Sequence, residues 1–180
     1  MRFAFADPPY LGCGHLYAKH PEAHVWDDPE THRALIGRLV ADYPDGWVLC
    51  LHAPSLRVLL PMTPNATRVC AWVKPFASFK PNVNPAYTWE PVLALGGRSA
   101  RDRGGREVAT VRDHLAANIT LQKGLTGAKP EAFCEWVIDL LGARAEDTFD
   151  DLFPGTGVFG RVWSRRSRDP SLFAAIREHA

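Results

Sequence analysis

Residues 3–10 read Phe3-Ala4-Phe5-Ala6-Asp7-Pro8-Pro9-Tyr10. A short apolar run stopped by two prolines fits a buried strand better than a helix. Proline locks its own φ near about −65° and keeps the residue before it extended. Asp7 and Pro8 therefore cannot continue into a helix. The strand ends on a stiff turn that presents a carboxylate, a backbone carbonyl and a flat ring together. Such a turn suits gripping a planar amine, and the bland alternative is a structural turn with Tyr10 packed on the core.

Further along, Asp28 offers a helix N-cap, with Pro29 at the first helical position and Leu35, Ile36, Leu39 and Val40 on one face. Pro44, Asp45 and Gly46 end that helix. Trp47 to Leu51, Arg68 to Val73 and Pro91 to Leu95 have the length and apolar character of strands, and Pro54 to Leu60 that of a short helix. Glu131 to Leu141 carries a helical apolar face and stops at Gly142. Thr148 to Phe153 reads as the last strand, followed by Pro154-Gly155-Thr156-Gly157 and a helix from Val158; Pro170 to Ala180 reads as a short helical tail. Strands alternating with helices predict an α/β sheet, largely parallel. Residues 11–28 and 77–86 are aperiodic and read as loops, the first closing over the turn at Asp7 with His15 or Tyr17 at the substrate.

The chain has 180 residues, 46% of them hydrophobic, which predicts one domain spanning 1–180 with a substantial core. Its 21 basic and 20 acidic side chains nearly cancel, so overall charge says nothing about nucleic acid. The arginines are nevertheless clustered, Arg98, Arg101, Arg103 and Arg106 in one stretch and Arg165, Arg166 and Arg168 in another. Cys13, Cys50, Cys70 and Cys134 form no CxxC pair and read as reduced core thiols. Cys13, His15, His20 and His24 are ligand types whose spacing matches no common zinc site, so no metal is expected. With no charged leader and no segment of about 18 apolar residues, a cytoplasmic protein is expected.

The glycine loop after the last strand lets a ligand approach the backbone, and the helix it opens favours polar or anionic groups. In open α/β sheets ligands sit beyond the carboxyl ends of strands, where both special loops lie. Asp7-Pro8-Pro9-Tyr10 resembles the catalytic motif of the S-adenosylmethionine-dependent amino-methyltransferases that modify adenine N6 or cytosine N4. Asp151-Leu152-Phe153-Pro154-Gly155-Thr156-Gly157 resembles their cofactor motif. Gly127-Ala128-Lys129-Pro130 resembles the Lys-Pro segment beside the methionine part of the cofactor. The order, catalytic motif first and cofactor motif last, is similar to the permuted beta class.

The resemblance implies a Rossmann-like methyltransferase sheet with helices on both faces. It implies Asp7, Pro8, Pro9 and Tyr10 as catalytic residues, with Asp7, Lys129, Pro130, Asp151, Phe153, Gly155, Thr156 and Gly157 around S-adenosylmethionine. DNA is the implied substrate, through adenine N6, because aspartate at the first motif position favours adenine in this family. RNA adenine, cytosine N4 and a non-catalytic nucleic-acid-binding paralogue are the alternatives.

The chain departs from the family after Gly157. The strand that usually follows, ending in an acidic residue for the ribose, has no counterpart; Asp169 and Glu178 are the only acidic residues there, and neither follows an apolar strand. The glycine-loop strand is therefore expected at or near a sheet edge lacking outer strands, a place where a homodimer would form. No target-recognition domain is evident, which predicts relaxed sequence specificity, with Arg98, Arg101, Arg103, Arg106, Arg165, Arg166 and Arg168 as phosphate contacts.

Overall fold

The computed structural model describes residues 1–17, 20, 22–76, 82–99, 110–120 and 128–173. Arg101, Arg103, Arg106, Gly127, Glu178 and the tail beyond Phe173 lie outside the described residues, as do residues 77–81 of the second loop.

The strands are β1 (Arg2–Ala6), β2 (Gly46–Cys50), β3 (Arg68–Val73), β4 (Trp89–Gly96), β5 (His114–Ala116) and β6 (Thr148–Asp151). They form one sheet in the order β5-β3-β4-β2-β1-β6. The longer helices are α1 (Pro29–Asp42), α2 (Ala53–Leu59), α3 (Glu131–Leu140) and α4 (Val158–Arg168). β1 runs parallel to both β2 and β6. β6 stands at the sheet edge, as the missing outer strand implied.

Among the described residues three of the five strand pairings are parallel, as expected. The sheet is mixed, because β4 is antiparallel to β2 and to β3. A parallel connection needs a crossover of a dozen or more residues, usually a helix, and no helix pattern stands between β3 and β4. The loop between them returns the chain in the opposite direction, so β4 enters between β2 and β3. β5 is an addition: three residues long and half-exposed, it carries too little apolar pattern to be read from sequence.

Alternation along β1 builds two cores. Phe3 and Phe5 face α3 and α4, where they join Phe133, Val137, Phe149, Phe159 and Val162. Ala4 and Ala6 face the opposite layer with Leu35, Ile36 and Leu39 of α1, Leu49 and Leu59. The rings of Phe5 and Phe159 stack at 4.6 Å, and Phe149 meets Phe159 edge-on at 4.9 Å. Burying one such side chain contributes about 1.5–3 kcal/mol. Asp28 caps α1 by accepting from the Glu30 amide at 3.0 Å. After α3, Gly142 takes φ 60°, and the Ala143 amide bonds back to the Ile138 carbonyl, a Schellman-type stop. Cys50, Cys70 and Cys134 are buried as free thiols, and Cys13 is half-buried.

α4 is fastened to α3 by charge. Arg166, only 2% exposed, donates to Glu135 at 2.8 Å and Asp139 at 2.7 Å, and its guanidinium lies 4.5 Å from the Phe173 ring centroid. Removing one partner of a buried pair strands the other charges. Arg166→Ala is therefore expected to lower unfolding free energy by about 3 kcal/mol in urea denaturation. Arg168→Ala, at an exposed position of the same helix, should stay within about 0.5 kcal/mol of the parent.

Candidate active site

Because β1 and β6 are adjacent and parallel, their carboxyl ends open on the same side of the sheet. β1 leads into Asp7-Pro8-Pro9-Tyr10 and β6 into the glycine loop. The Phe5–Asp151 register places the two loop entrances side by side, and the Leu152 amide donates to the Phe5 carbonyl at 2.9 Å. The first loop arches across this end as two 3-10 turns, Gly14–Tyr17 and Ala23–Asp27, tied by a bond from the Gly14 amide to Asp27 at 2.9 Å. Trp26 from the second turn meets Phe153 edge-on at 5.1 Å, which links this loop to the glycine loop.

Around Asp7 lies a buried polar network. The Lys129 ammonium donates to both Asp7 carboxylate oxygens at 2.8 Å and to the Tyr10 hydroxyl at 2.9 Å. Tyr10 donates its own proton to Glu90 at 2.8 Å, and Lys74 donates to the other Glu90 oxygen at 2.7 Å. The Tyr10 ring stacks on His52 at 5.6 Å with the planes 15° apart. Ser55 Oγ lies 2.6 Å from His52 Nδ1. Lys129 also lies within 6 Å of the Trp72 and Phe133 ring centroids, an arrangement that favours a cation.

Burial opposes the Lys129 charge, but Asp7 and Glu90 outweigh it and hold the ammonium well above the ordinary lysine range. Burial lifts the Asp7 carboxyl above its ordinary value, with Lys129 pulling the other way. The Tyr10 phenol is pushed far up, first by burial and then by Glu90 and Asp7, so it remains a proton donor. Burial would raise Glu90 too, yet Lys129 and Lys74 bring it below the usual glutamate value. Tyr17 is raised by burial and then by Asp7, which places the phenol within electrostatic reach of the site.

On the glycine-loop side, Asp151 is pushed up to about 6, mainly by burial and also by the Asp7 charge, against a bond from the Phe153 amide. The register of Phe5 opposite Asp151 puts both carboxyl groups at the same end of the sheet. Gly157 adopts φ 70° as the N-cap of α4 and supplies no side-chain cap. The first-turn amides of α4 are thus open to an acceptor from outside the helix. A Cβ at Gly155, itself at φ 44°, would meet only the Phe153 carbonyl, at 3.7 Å, so what fixes glycine there is backbone conformation.

The structure brings Asp7 through Tyr10, Lys129 with Pro130, and Asp151 through Gly157 to one end of the sheet. Lys129, read from sequence as a cofactor contact, here binds Asp7. It does not bring Arg98, Arg165 or Arg166 there. Arg98 follows β4, whose end at Gly96 pairs with Gly46 at the start of β2, the opposite end of the parallel strands. Its guanidinium grips Asp147 at 2.7 Å and the Gly142 carbonyl. Arg165 pairs with Glu131 and Glu135. Arg165, Arg166 and Arg168 stand on the last turns of α4, roughly 11–15 Å along the axis from its first residue. Asp169 closes that far end, where it accepts from the Ser171 amide. Sequence reading missed Glu90, Lys74 and His52. The only signal was a lone acidic residue in the otherwise apolar stretch Pro91 to Leu95 and its flank, and lysine and histidine just past the ends of β3 and β2.

No family model matches the chain. Its structure resembles M1.HpyAVI in complex with SAM, with a TM-score of 0.57 and 15% identity, covering 99% of this chain and 89% of that one. A second structure of M1.HpyAVI aligns with a TM-score of 0.54 and 17% identity over 92% of this chain and 76% of that one. The fold is therefore the Rossmann-like sheet of these proteins, with helices on both faces. Among curated proteins, the ATP synthase subunit delta of Beutenbergia cavernae is 40% identical over 92 residues, half of this chain. The match spans only 32% of that protein's length. Among the described residues no group of His, Cys, Asp and Glu has the arrangement of a metal site, and no helix is long and apolar enough to cross a membrane.

Asp151 gives a pH prediction. A carboxyl group whose folded value lies above its unfolded one keeps its proton in the native state after the unfolded chain has lost it. That stabilisation is present below the ordinary value of 3.8 and is lost as pH rises to about 6. Comparing urea unfolding at about pH 4 and about pH 7, Asp151→Asn should lose less stability, or gain more, than the parent chain. Identical pH dependence in the two proteins would contradict the assignment.

Proposed function

We propose that this chain is an S-adenosylmethionine-dependent methyltransferase acting on the exocyclic N6 amine of adenine in DNA. The observation that carries the reading is the shared opening of the Asp7 turn and the glycine loop at the ends of two adjacent parallel strands. Ligands of open α/β sheets occupy that position.

The residues present suit the cofactor. Gly155 and Gly157 leave the backbone approachable, the first turn of α4 has no side-chain cap, and Asp151 ends the strand beside the one that leads to Asp7. Asp151, Phe153, Gly155, Thr156 and Gly157 would hold the nucleoside side, with Lys129 and Pro130 toward the methionine end. When bound, S-adenosylmethionine supplies a methyl group on a positively charged sulfur.

The chain's own residues prepare the acceptor. An adenine amine is a weak nucleophile because its lone pair is delocalised into the ring. Acceptance of its hydrogens by the Asp7 carboxylate and the Pro8 carbonyl favours a pyramidal nitrogen and stabilises the developing positive charge. Asp7 is blocked at rest by Lys129, so the amine enters as Lys129 gives up its two bonds to that carboxylate. The raised value of buried Asp7 suits it to take the released proton. Tyr10 stacks on the base, and a duplex target would be flipped out at a cost of a few kcal/mol.

Residues 1–180 work as one methyltransferase unit in the cytoplasm. Of the proposed phosphate contacts, Arg101, Arg103 and Arg106 lie outside the described residues, and Arg98 and Arg166 are held in ion pairs. The outer side of β6, the last strand of the sheet among the described residues, is the proposed surface for a homodimer. A specific observation favours the non-catalytic reading as the rival: among the described residues no strand with a terminal acid follows α4.

The test is expression in a host without adenine methylation, followed by mass spectrometry of digested nucleosides. N6-methyladenine is expected with the parent chain and should fall by about 100-fold or more in Asp7→Ala. N4-methylcytosine would move the substrate to cytosine. No modified nucleoside in DNA or RNA from a folded protein would favour the non-catalytic paralogue.

A further inference from the structure

We propose that Glu90 is a positioning residue of the active site, acting through the hydroxyl of Tyr10; this rests on the methyl-transfer reading above. Glu90 is the second residue of β4, the antiparallel strand, and pairs with Trp72 of β3. That register aims its side chain toward the site although its sequence lies 80 residues from Tyr10. Both carboxylate oxygens are used, one accepting from Tyr10 and the other from Lys74. Lys129 approaches the Tyr10-bonded oxygen to 3.9 Å.

Two restraints therefore hold the Tyr10 ring. His52 fixes its plane by stacking, and Glu90 fixes its rotation about the strand end by accepting the hydrogen bond of the phenol. With that proton committed to Glu90, the Tyr10 oxygen turns a lone pair toward Lys129 and accepts from it. Glu90 thus sets both the ring on which a base stacks and the ammonium that covers Asp7. A simple strut between β3 and β4 would need only the Lys74–Glu90 pair. The bond to Tyr10, a residue of the catalytic turn, is what the strut does not explain.

Charge also enters. Lys74 and Lys129 face Asp7 and Glu90, two cations against two carboxylates in a buried space. Loss of the Glu90 charge alone leaves the cluster cationic, an imbalance that removing the Lys74 charge as well cancels.

The test uses Glu90→Gln and Tyr10→Phe, singly and together, with the paired variant Lys74→Met/Glu90→Gln in case loss of one charge unfolds the protein. Transfer of labelled methyl from S-adenosylmethionine to DNA is expected to lose about 10-fold or more in kcat in Glu90→Gln. KM for S-adenosylmethionine should stay within about 2-fold. In the Tyr10→Phe background the same substitution should cost nothing further, since the hydroxyl it acts through is gone. A second readout needs no turnover: protein labelled with 13C-tyrosine, its Tyr10 signal assigned by loss in Tyr10→Phe. That signal should shift in Glu90→Gln and in the paired variant. Additive losses in the double variant, or an unmoved Tyr10 signal in a folded variant, would overturn the proposal. Parent protein that transfers no methyl group while its Tyr10 signal still depends on Glu90 would instead count against the methyl-transfer reading.

Discussion

The ion pair between Asp7 and Lys129 is the constraint on which the active end of this molecule depends. Asp7 ends the strand that both cores are built around, and burial makes its charge costly unless a cation is supplied. Lys129 comes from the segment that leads into α3, 122 residues away, and delivers three hydrogen bonds to Asp7 and Tyr10. Breaking a buried pair by removing one partner costs more than the pair contributes, because the survivor is left unsolvated. The pair is thus a registration device: α3, β1 and, through Glu90 and Lys74, β3 and β4 meet correctly only when every charge in the cluster finds its partner.

The same constraint shapes the proposed chemistry. A carboxylate that is to receive an amine cannot be left open to a low-dielectric interior, and Lys129 neutralises it at rest. The glycine loop next door has no such filling, since its glycines and the uncapped first turn of α4 leave backbone amides available.

Much of this was legible in the sequence wherever a local pattern determined the outcome. Proline chemistry marked the end of β1, an Asp-Pro pair marked the start of α1, and Gly142 and Gly157 marked a helix stop and a helix start. The edge position of β6 followed from the absence of an apolar strand after α4. Strand direction was not legible, because the apolar content of β4 is the same in either sense and only the helix-free connection before it carries the information. Glu90 was hidden for a related reason: its role comes from cross-strand register, which single-sequence periodicity does not encode. Clustering along the chain says nothing of where arginines fall along a helix or sheet. The three of α4 stand on its last turns, and Arg166 is buried between Glu135 and Asp139.

Calorimetric titration of the parent protein with S-adenosylmethionine is the most direct measurement of the central claim, that the glycine loop and the Asp7 turn form the two halves of one methyl-transfer crevice. Saturable one-to-one binding with Kd below about 1 mM is predicted, and Asp151→Ala should weaken it by about 10-fold or more. Absence of heat at millimolar ligand, from folded protein, would contradict it.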